Sequence, residues 1–172
     1  MQKCVFLDRD GVLNEEIDDY VFRIEDFKIR DGVLEGLRNL KDAGYLLVVV
    51  TNQGGIAKGL YSESDVMNCF SFLQEQCGGV IDDIYYCKHH PKYTSESLLR
   101  KPDSLMLEKA MAKYGIDSTQ SFMVGDSERD VLAGKKVGVK TIHITGGKEN
   151  TKSADWQFGS LLEASKFIVS GL

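Results

Sequence analysis

Asp8 and Asp10 stand one residue apart, directly after the apolar run Cys4–Leu7 and directly before Gly11. Two aspartates at this spacing are most often a solvated turn. At the exit of a buried strand the same pair has a chemical use. One carboxylate held there can act as a nucleophile toward a phosphoryl group, as in enzymes that form aspartyl-phosphates. A second carboxyl beside it can protonate the leaving oxygen and later take a proton from water. Gly11 suits such an exit because it tolerates positive φ and tight geometry. Polar residues recur after other apolar runs. Thr51 and Asn52 follow Tyr45–Val50, the stretch from His89 to Lys101 follows Val80–Cys87, and Asp126 follows Ser121–Val124. Core packing does not explain polar groups at four strand ends, whereas the carboxyl ends of strands are where α/β sheets gather function.

The elements that would position these groups can be read from apolar periodicity. Strands are predicted at Cys4–Leu7, Tyr45–Val50, Val80–Cys87, Ser121–Val124 and Val139–Ile144. A helix is predicted over Asp31–Gly44, with Val33, Leu34, Leu37 and Leu40 on one face and Gly44 as its stop. Ser62–Gln76 opens with Ser-x-x-Asp, a relative of the capping box. Further helices are predicted at Asp103–Tyr114 behind Pro102, at Arg129–Lys136 and at Ser160–Ile168. Strands alternating with helices imply an α/β fold, Rossmann-like and doubly wound around a mostly parallel sheet. The 172 residues suit one domain, 1–172.

Bulk properties narrow the function classes. With 42% hydrophobic and 27% charged residues the composition is that of a globular protein. A net charge of −5 disfavours nucleic acid, whose backbone is bound by basic surface. Any anion site must then be local, built from a metal, a few cations and backbone N–H groups. Cys4, Cys69, Cys77 and Cys87 form no Cys-x-x-Cys pair and read as free thiols of a reducing cytoplasm. The apolar run Val5–Leu7 is too short for a signal peptide, and no run is long enough for a membrane span. The expectation is a cytoplasmic enzyme.

Asp8-x-Asp10-Gly11-Val12-Leu13 resembles the first motif of the haloacid dehalogenase superfamily. Thr51, Lys101 within Arg100-Lys101-Pro102, and Gly125-Asp126-Ser127-Glu128-Arg129-Asp130 resemble its second, third and fourth motifs, in order. Each is weak alone; four in order over nearly the whole chain are specific. The resemblance implies a phosphatase working through a phospho-aspartate on Asp8, with Asp10 as general acid and base. Mg²⁺ would be held by Asp8, the Asp10 main-chain carbonyl and Asp126. Thr51 and Lys101 would hold the phosphoryl oxygens. Asp130 would orient Lys101 or hold a metal-bound water. Glu128 and Arg129 read as a solvated first helical turn.

Within the superfamily the chain is similar to small phosphatases acting on a heptose bisphosphate, with histidinol-phosphate phosphatase domains as near relatives. The text that carries this is Phe6-Leu7-Asp8-Arg9-Asp10-Gly11, then Val50-Thr51-Asn52-Gln53-Gly54-Gly55-Ile56-Ala57-Lys58-Gly59, then Tyr85-Tyr86-Cys87-Lys88-His89-His90-Pro91. Members of this kind lack a large cap domain. Here Asn14–Arg30 has room only for a flap and Asn52–Tyr61 only for a loop. The resemblance implies substrate contacts at Arg9, Tyr20, Asn52, Gln53, Gly54 and Arg100. It also implies loss of the 7-phosphate from the heptose bisphosphate, and a monomer. Arg100 suits a second phosphate, with Lys58 and Lys88 in loops able to reach it. Histidinol phosphate, which offers a cationic amine and an imidazole, would instead call on Glu15, Glu16, Asp18 and Asp19 of the flap. A phosphotransferase or mutase is disfavoured without a cap that excludes water, and an inactive scaffold is disfavoured by retention of both aspartates.

One departure stands out. Relatives of this kind carry zinc on Cys-x-His and a later Cys-x-Cys. Here Cys87 and His89 supply the first pair, while Ser97 and Leu99 occupy the second. A structural zinc wants four ligands, so none is expected. The loop from His90 to Leu99 would instead be held by packing through Pro91, Tyr93 and Leu98.

Overall fold

The computed structural model describes residues 1–146 and 151–171. Its centre is a six-stranded sheet of β1 (Cys4–Leu7), β2 (Leu46–Asn52), β3 (Asp83–Cys87), β4 (Phe122–Gly125), β5 (Lys140–Ile144) and β6 (Trp156–Phe158). The order is β3-β2-β1-β4-β5-β6 and every pairing is parallel. This is the doubly wound arrangement expected from the sequence. No cap domain interrupts it among the described residues.

The strands read as continuous apolar runs because both faces of the sheet are covered. Val5 and Leu7 point into a core with Leu37 and Leu40 of α1 (Val33–Asp42), Cys69 and Leu73 of α2 (Glu63–Gln76), and Leu161 and Ala164 of α5 (Leu161–Ser170). Cys4 and Phe6 point the other way. They meet Met106, Leu107 and Ala110 of α3 (Leu105–Tyr114) and Ala133 of α4 (Glu128–Lys136). The predicted cap of α2 is present: Ser62 Oγ accepts from Asp65 N, and the Asp65 carboxylate accepts from Ser62 N.

Two expectations are corrected. Leu34 is 37% exposed, and Gly36 takes its place on the buried stripe with Val33, Leu37 and Leu40. A side chain at Gly36 would press on Leu161, so the glycine lets α1 and α5 approach closely. The second is β6, which extends the sheet beyond the five predicted strands. Three half-exposed residues carry too little alternation to register as a strand. They are fixed by Trp156 and Phe158, whose rings pack at a tilt on Phe167 of α5.

The sheet reverses direction of winding between β1 and β4, which is where ligands bind in open α/β sheets. Asp8 leaves β1 at this point and its N–H donates to Val124 O of β4 at 2.9 Å. Asp126 leaves β4 beside it. The topology therefore brings together two aspartates that lie far apart in sequence.

Candidate active site

Lys101 is the centre of the cluster. It is 2% exposed, with Nζ 2.8 Å from Asp8 Oδ1, 2.6 Å from Asp130 Oδ1 and 2.8 Å from Val50 O. Its main chain is clamped from β2. Asn52 Oδ1 accepts from Lys101 N, and Asn52 Nδ2 donates to Lys101 O, each at 3.0 Å. Asp130 is fixed from the other side, since Ser127 N and Oγ both donate to its Oδ2 in the capping box of α4. With one oxygen in the cap and the other against Lys101, the carboxylate of Asp130 orients the lysine.

Asp8, Asp126 and Asp130 each offer a carboxylate oxygen within 4.8 Å of the others. One ammonium faces three buried carboxyls, and the charge deficit shows in their protonation. Burial pushes Asp126 up to about 8, aided by repulsion from Asp8 and Asp130. Burial and Asp130 raise Asp8 to about 6 against the pull of Lys101. Asp130 moves the other way: burial opposes ionisation, but Lys101 and the Ser127 hydrogen bond hold it below the usual range. Lys101 is held charged by Asp130 and Asp8 in spite of its burial. A hard divalent cation would supply the missing positive charge, and carboxylate oxygens are the donors Mg²⁺ prefers. The residues present therefore fit the ion. Gly11, at φ 81°, gives the room, since a side chain there would run into the Asp126 carboxylate.

Asp10 faces the neighbouring cavity. Its Oδ1 accepts from Arg9 Nε and NH2 at 3.2 and 2.8 Å and from Asn14 Nδ2 at 3.0 Å. Its Oδ2 accepts from Gln53 Nε2 at 3.1 Å, and the same amide donates to Thr51 Oγ1 at 2.9 Å. Asp8, Asp10, Thr51, Lys101 and Asp126 thus come together as expected.

The cavity beyond Asp10 has a volume of about 380 Å³. Arg9, Tyr20, Asn52, Gln53, Gly54 and Arg100 all line it. Three of them also hold neighbouring groups in place with their side chains. Arg9 is 2% exposed, bound to Asp10 and donating to Val21 O of the flap. Asn52 holds Lys101, and Gln53 holds Asp10 and Thr51. Lys88 pairs with Glu63 at 2.7 Å and is not in the lining, whereas Lys58 is. Arg129, read as part of a solvated turn, also lines the cavity. The signal available was position: α4 starts right after Asp126, so its first turn borders the site. A larger cleft, about 580 Å³, lies by Glu15, Arg30 and Ser160 and holds none of Asp8, Asp10, Asp126 and Asp130.

The loop after β3 differs from the expected packing. Pro91 is exposed, as are Tyr93 and Leu98 at 55% and 67%. Leu99 packs on the core beside Cys87 and Met106 instead. Hydrogen bonds do the rest: Arg100 NH1 donates to His89 O, and Thr94 N and Tyr93 N donate to His90 O. Cys87 Sγ is 3.7 Å from His89 O.

A haloacid-dehalogenase-like hydrolase family model matches residues 98–164. A D-glycero-beta-D-manno-heptose-1,7-bisphosphate 7-phosphatase of Haemophilus ducreyi is 42% identical, over 97% of this chain and 98% of that protein. The D-glycero-alpha-D-manno-heptose-1,7-bisphosphate 7-phosphatase of Burkholderia mallei is also 42% identical, over 88% of this chain and 84% of that one. Among solved structures, a D,D-heptose 1,7-bisphosphate phosphatase from B. bronchiseptica, complexed with magnesium and phosphate, superposes with a TM-score of 0.90. It is 26% identical and the match covers 99% of this chain and 100% of that one. The chain belongs to the heptose-bisphosphate phosphatase family of haloacid-dehalogenase-like hydrolases, and it is a phosphoric monoester hydrolase.

Proposed function

We propose that this hydrolase removes the 7-phosphate of D-glycero-D-manno-heptose 1,7-bisphosphate through a phospho-aspartate on Asp8. The observation that carries the substrate is the make-up of the cavity wall next to Asp10. Arg100, Lys58 and Arg129 border it, together with Glu16, Asp18 and Asp19 of the flap. Cations suit a second phosphate, while carboxylates accept hydrogen bonds from sugar hydroxyls. The flap carboxylates could also meet the amine of histidinol phosphate, and the preference for the heptose draws its further support from the relatives named as heptose-1,7-bisphosphate 7-phosphatases.

The chemistry follows from the chain's own groups. Asp8 attacks phosphorus, the bond to the sugar oxygen breaks, and Asp10 gives that oxygen its proton. Water then attacks the phospho-aspartate, Asp10 takes a proton from it, and the bond to Asp8 breaks to release inorganic phosphate. Lys101 Nζ, fixed by Asp130 and Val50 O, and the Thr51 hydroxyl hold phosphoryl oxygens throughout. Mg²⁺, held by Asp8, Asp126 and the Asp10 main-chain carbonyl, would offset charge so that one anion can approach another.

A panel with Mg²⁺ tests this. It compares both anomers of the heptose bisphosphate, histidinol phosphate and an aryl phosphate by kcat/KM. The heptose bisphosphate should lead. Efficient histidinol phosphate hydrolysis without heptose activity would overturn the assignment.

A further inference from the structure

Tyr61 does not line the cavity, yet it sits behind two catalytic groups at once. The turn after Gln53 folds back, with Leu60 N donating to Gly55 O at 3.0 Å. That lays the Tyr61 ring on Gly55, where a side chain would collide with it. The ring is buried and stacks on Phe22 of the flap at 5.1 Å and 11°, with Tyr20 5.7 Å away. Its hydroxyl donates to Gln53 Oε1 at 2.7 Å.

Chemistry fixes the direction of this chain of bonds. The Asp10 oxygens accept, so the Gln53 amide must turn its NH₂ toward Asp10. Its carbonyl oxygen then faces Tyr61, and the tyrosine hydroxyl must donate. Without that donor the carbonyl end of the amide loses its partner, and the amide is held from the Asp10 side alone. A flipped amide would aim an oxygen at both Asp10 Oδ2 and Thr51 Oγ1. The first contact would be repulsive, and the general acid would leave its line with the ester oxygen.

We propose that Tyr61 is a positioning residue for general acid catalysis, setting Asp10 through Gln53 and seated there by the aromatic pair of the flap. This rests on the reading of Asp10 as the acid, and the test separates the two. An alkyl leaving group needs the proton in the transition state; a nitrophenolate needs it far less. kcat/KM for phosphoryl transfer is therefore measured on the best sugar phosphate of the panel and on 4-nitrophenyl phosphate. The variants are Asp10→Asn, Tyr61→Phe, which keeps the ring stack, and Gln53→Met, which cuts the same link from its other end.

Asp10→Asn should lose on the order of 10²–10⁴ on the sugar ester and much less on the aryl ester. Tyr61→Phe should show the same selectivity at a smaller scale, roughly 10-fold on the sugar ester and under about twofold on the aryl ester, since a misplaced acid keeps part of its effect. Gln53→Met also releases the Thr51 hydroxyl and should lose on both esters, with the larger loss on the sugar ester. If Asp10→Asn is selective but Tyr61→Phe loses equally on both esters, or on neither, the positioning role is wrong and Tyr61 is structural. If Asp10→Asn itself shows no selectivity, Asp10 is not the acid and the proposal falls with that reading.

Discussion

On one side of Asp8 lies Lys101, buried between two carboxylates and a strand carbonyl; on the other lies a cavity whose Lys58, His90 and Arg100 sit on loops in contact with water. The first region is built on strand ends and helix starts. Asn52 clamps the lysine backbone, and the cap of α4 clamps Asp130. The second region is built on a flap, a turn and the loop after β3, held by hydrogen bonds and ring contacts such as Lys58 over Tyr20 at 5.0 Å. Phosphoryl transfer gains from fixed charges in a dry site. Recognition of a sugar tolerates adjustment, and loops supply it. The difference predicts that rate and substrate preference are carried by separable parts of this chain.

The sharpest way to break that comparison is at Asp8, the proposed nucleophile. Asp8→Asn should abolish turnover of every phosphate ester, leaving the fold intact because Asp130 and Val50 O still hold Lys101. Circular dichroism and a phosphate-release assay would check both. Normal turnover by this variant would end the covalent mechanism.

A smaller effect concerns protons in the buried half alone. Asp126, raised to about 8, and Asp8, raised to about 6, bind protons more tightly in the folded metal-free chain than unfolded. Their contribution to stability is complete below the ordinary carboxylate pKa and is lost as pH rises through 6 and 8. Metal-free protein should therefore become less stable across that window, and Mg²⁺ should restore the loss with an apparent affinity that grows with pH. Asp130, shifted downward, acts only at more acid pH and does not alter the sign. Thermal melts at several pH values, with and without Mg²⁺, read this. A metal-free stability that rises from pH 5 to pH 8 would contradict it.

The smallest effect is a null one in the loop-built half. Ser97 and Leu99 stand where relatives supply thiolates, and Leu99 packs into the core. A zinc-selective chelator should leave the melting temperature unchanged, and elemental analysis should find no stoichiometric zinc.

The buried half was largely legible in the sequence. Apolar runs, each ended by a polar residue, mark strands whose ends share one edge, and Gly11 takes the positive φ its place suggested. The loop-built half was less so. An amide at a strand end looks the same whether or not it also clamps a neighbour, so the bonds of Asn52 to Lys101 and of Gln53 to Asp10 and Thr51 had no signal in the sequence. Arg9 looked available because an arginine rarely buries; here Asp10 neutralises it and Phe27 packs its face at 5.6 Å. Tyr93 and Leu98 were apolar enough to suggest anchoring, but which apolar residue of a loop turns inward depends on the loop's path. Tyr61 gave no local signal, because its role exists only once the turn folds back over Gly55.

The claim that the open half reads a second phosphate is tested most directly by one pair of substrates. kcat/KM is compared for the heptose 1,7-bisphosphate and the heptose 7-phosphate, in the native chain and in Arg100→Ala. The native chain should favour the bisphosphate by about 1.5–3 kcal/mol, roughly 10- to 150-fold, the scale of a charge-assisted hydrogen bond. Arg100→Ala should remove most of that preference while leaving the monophosphate little changed. Equal rates on the two substrates in the native chain, or an undiminished preference in the variant, would contradict the account.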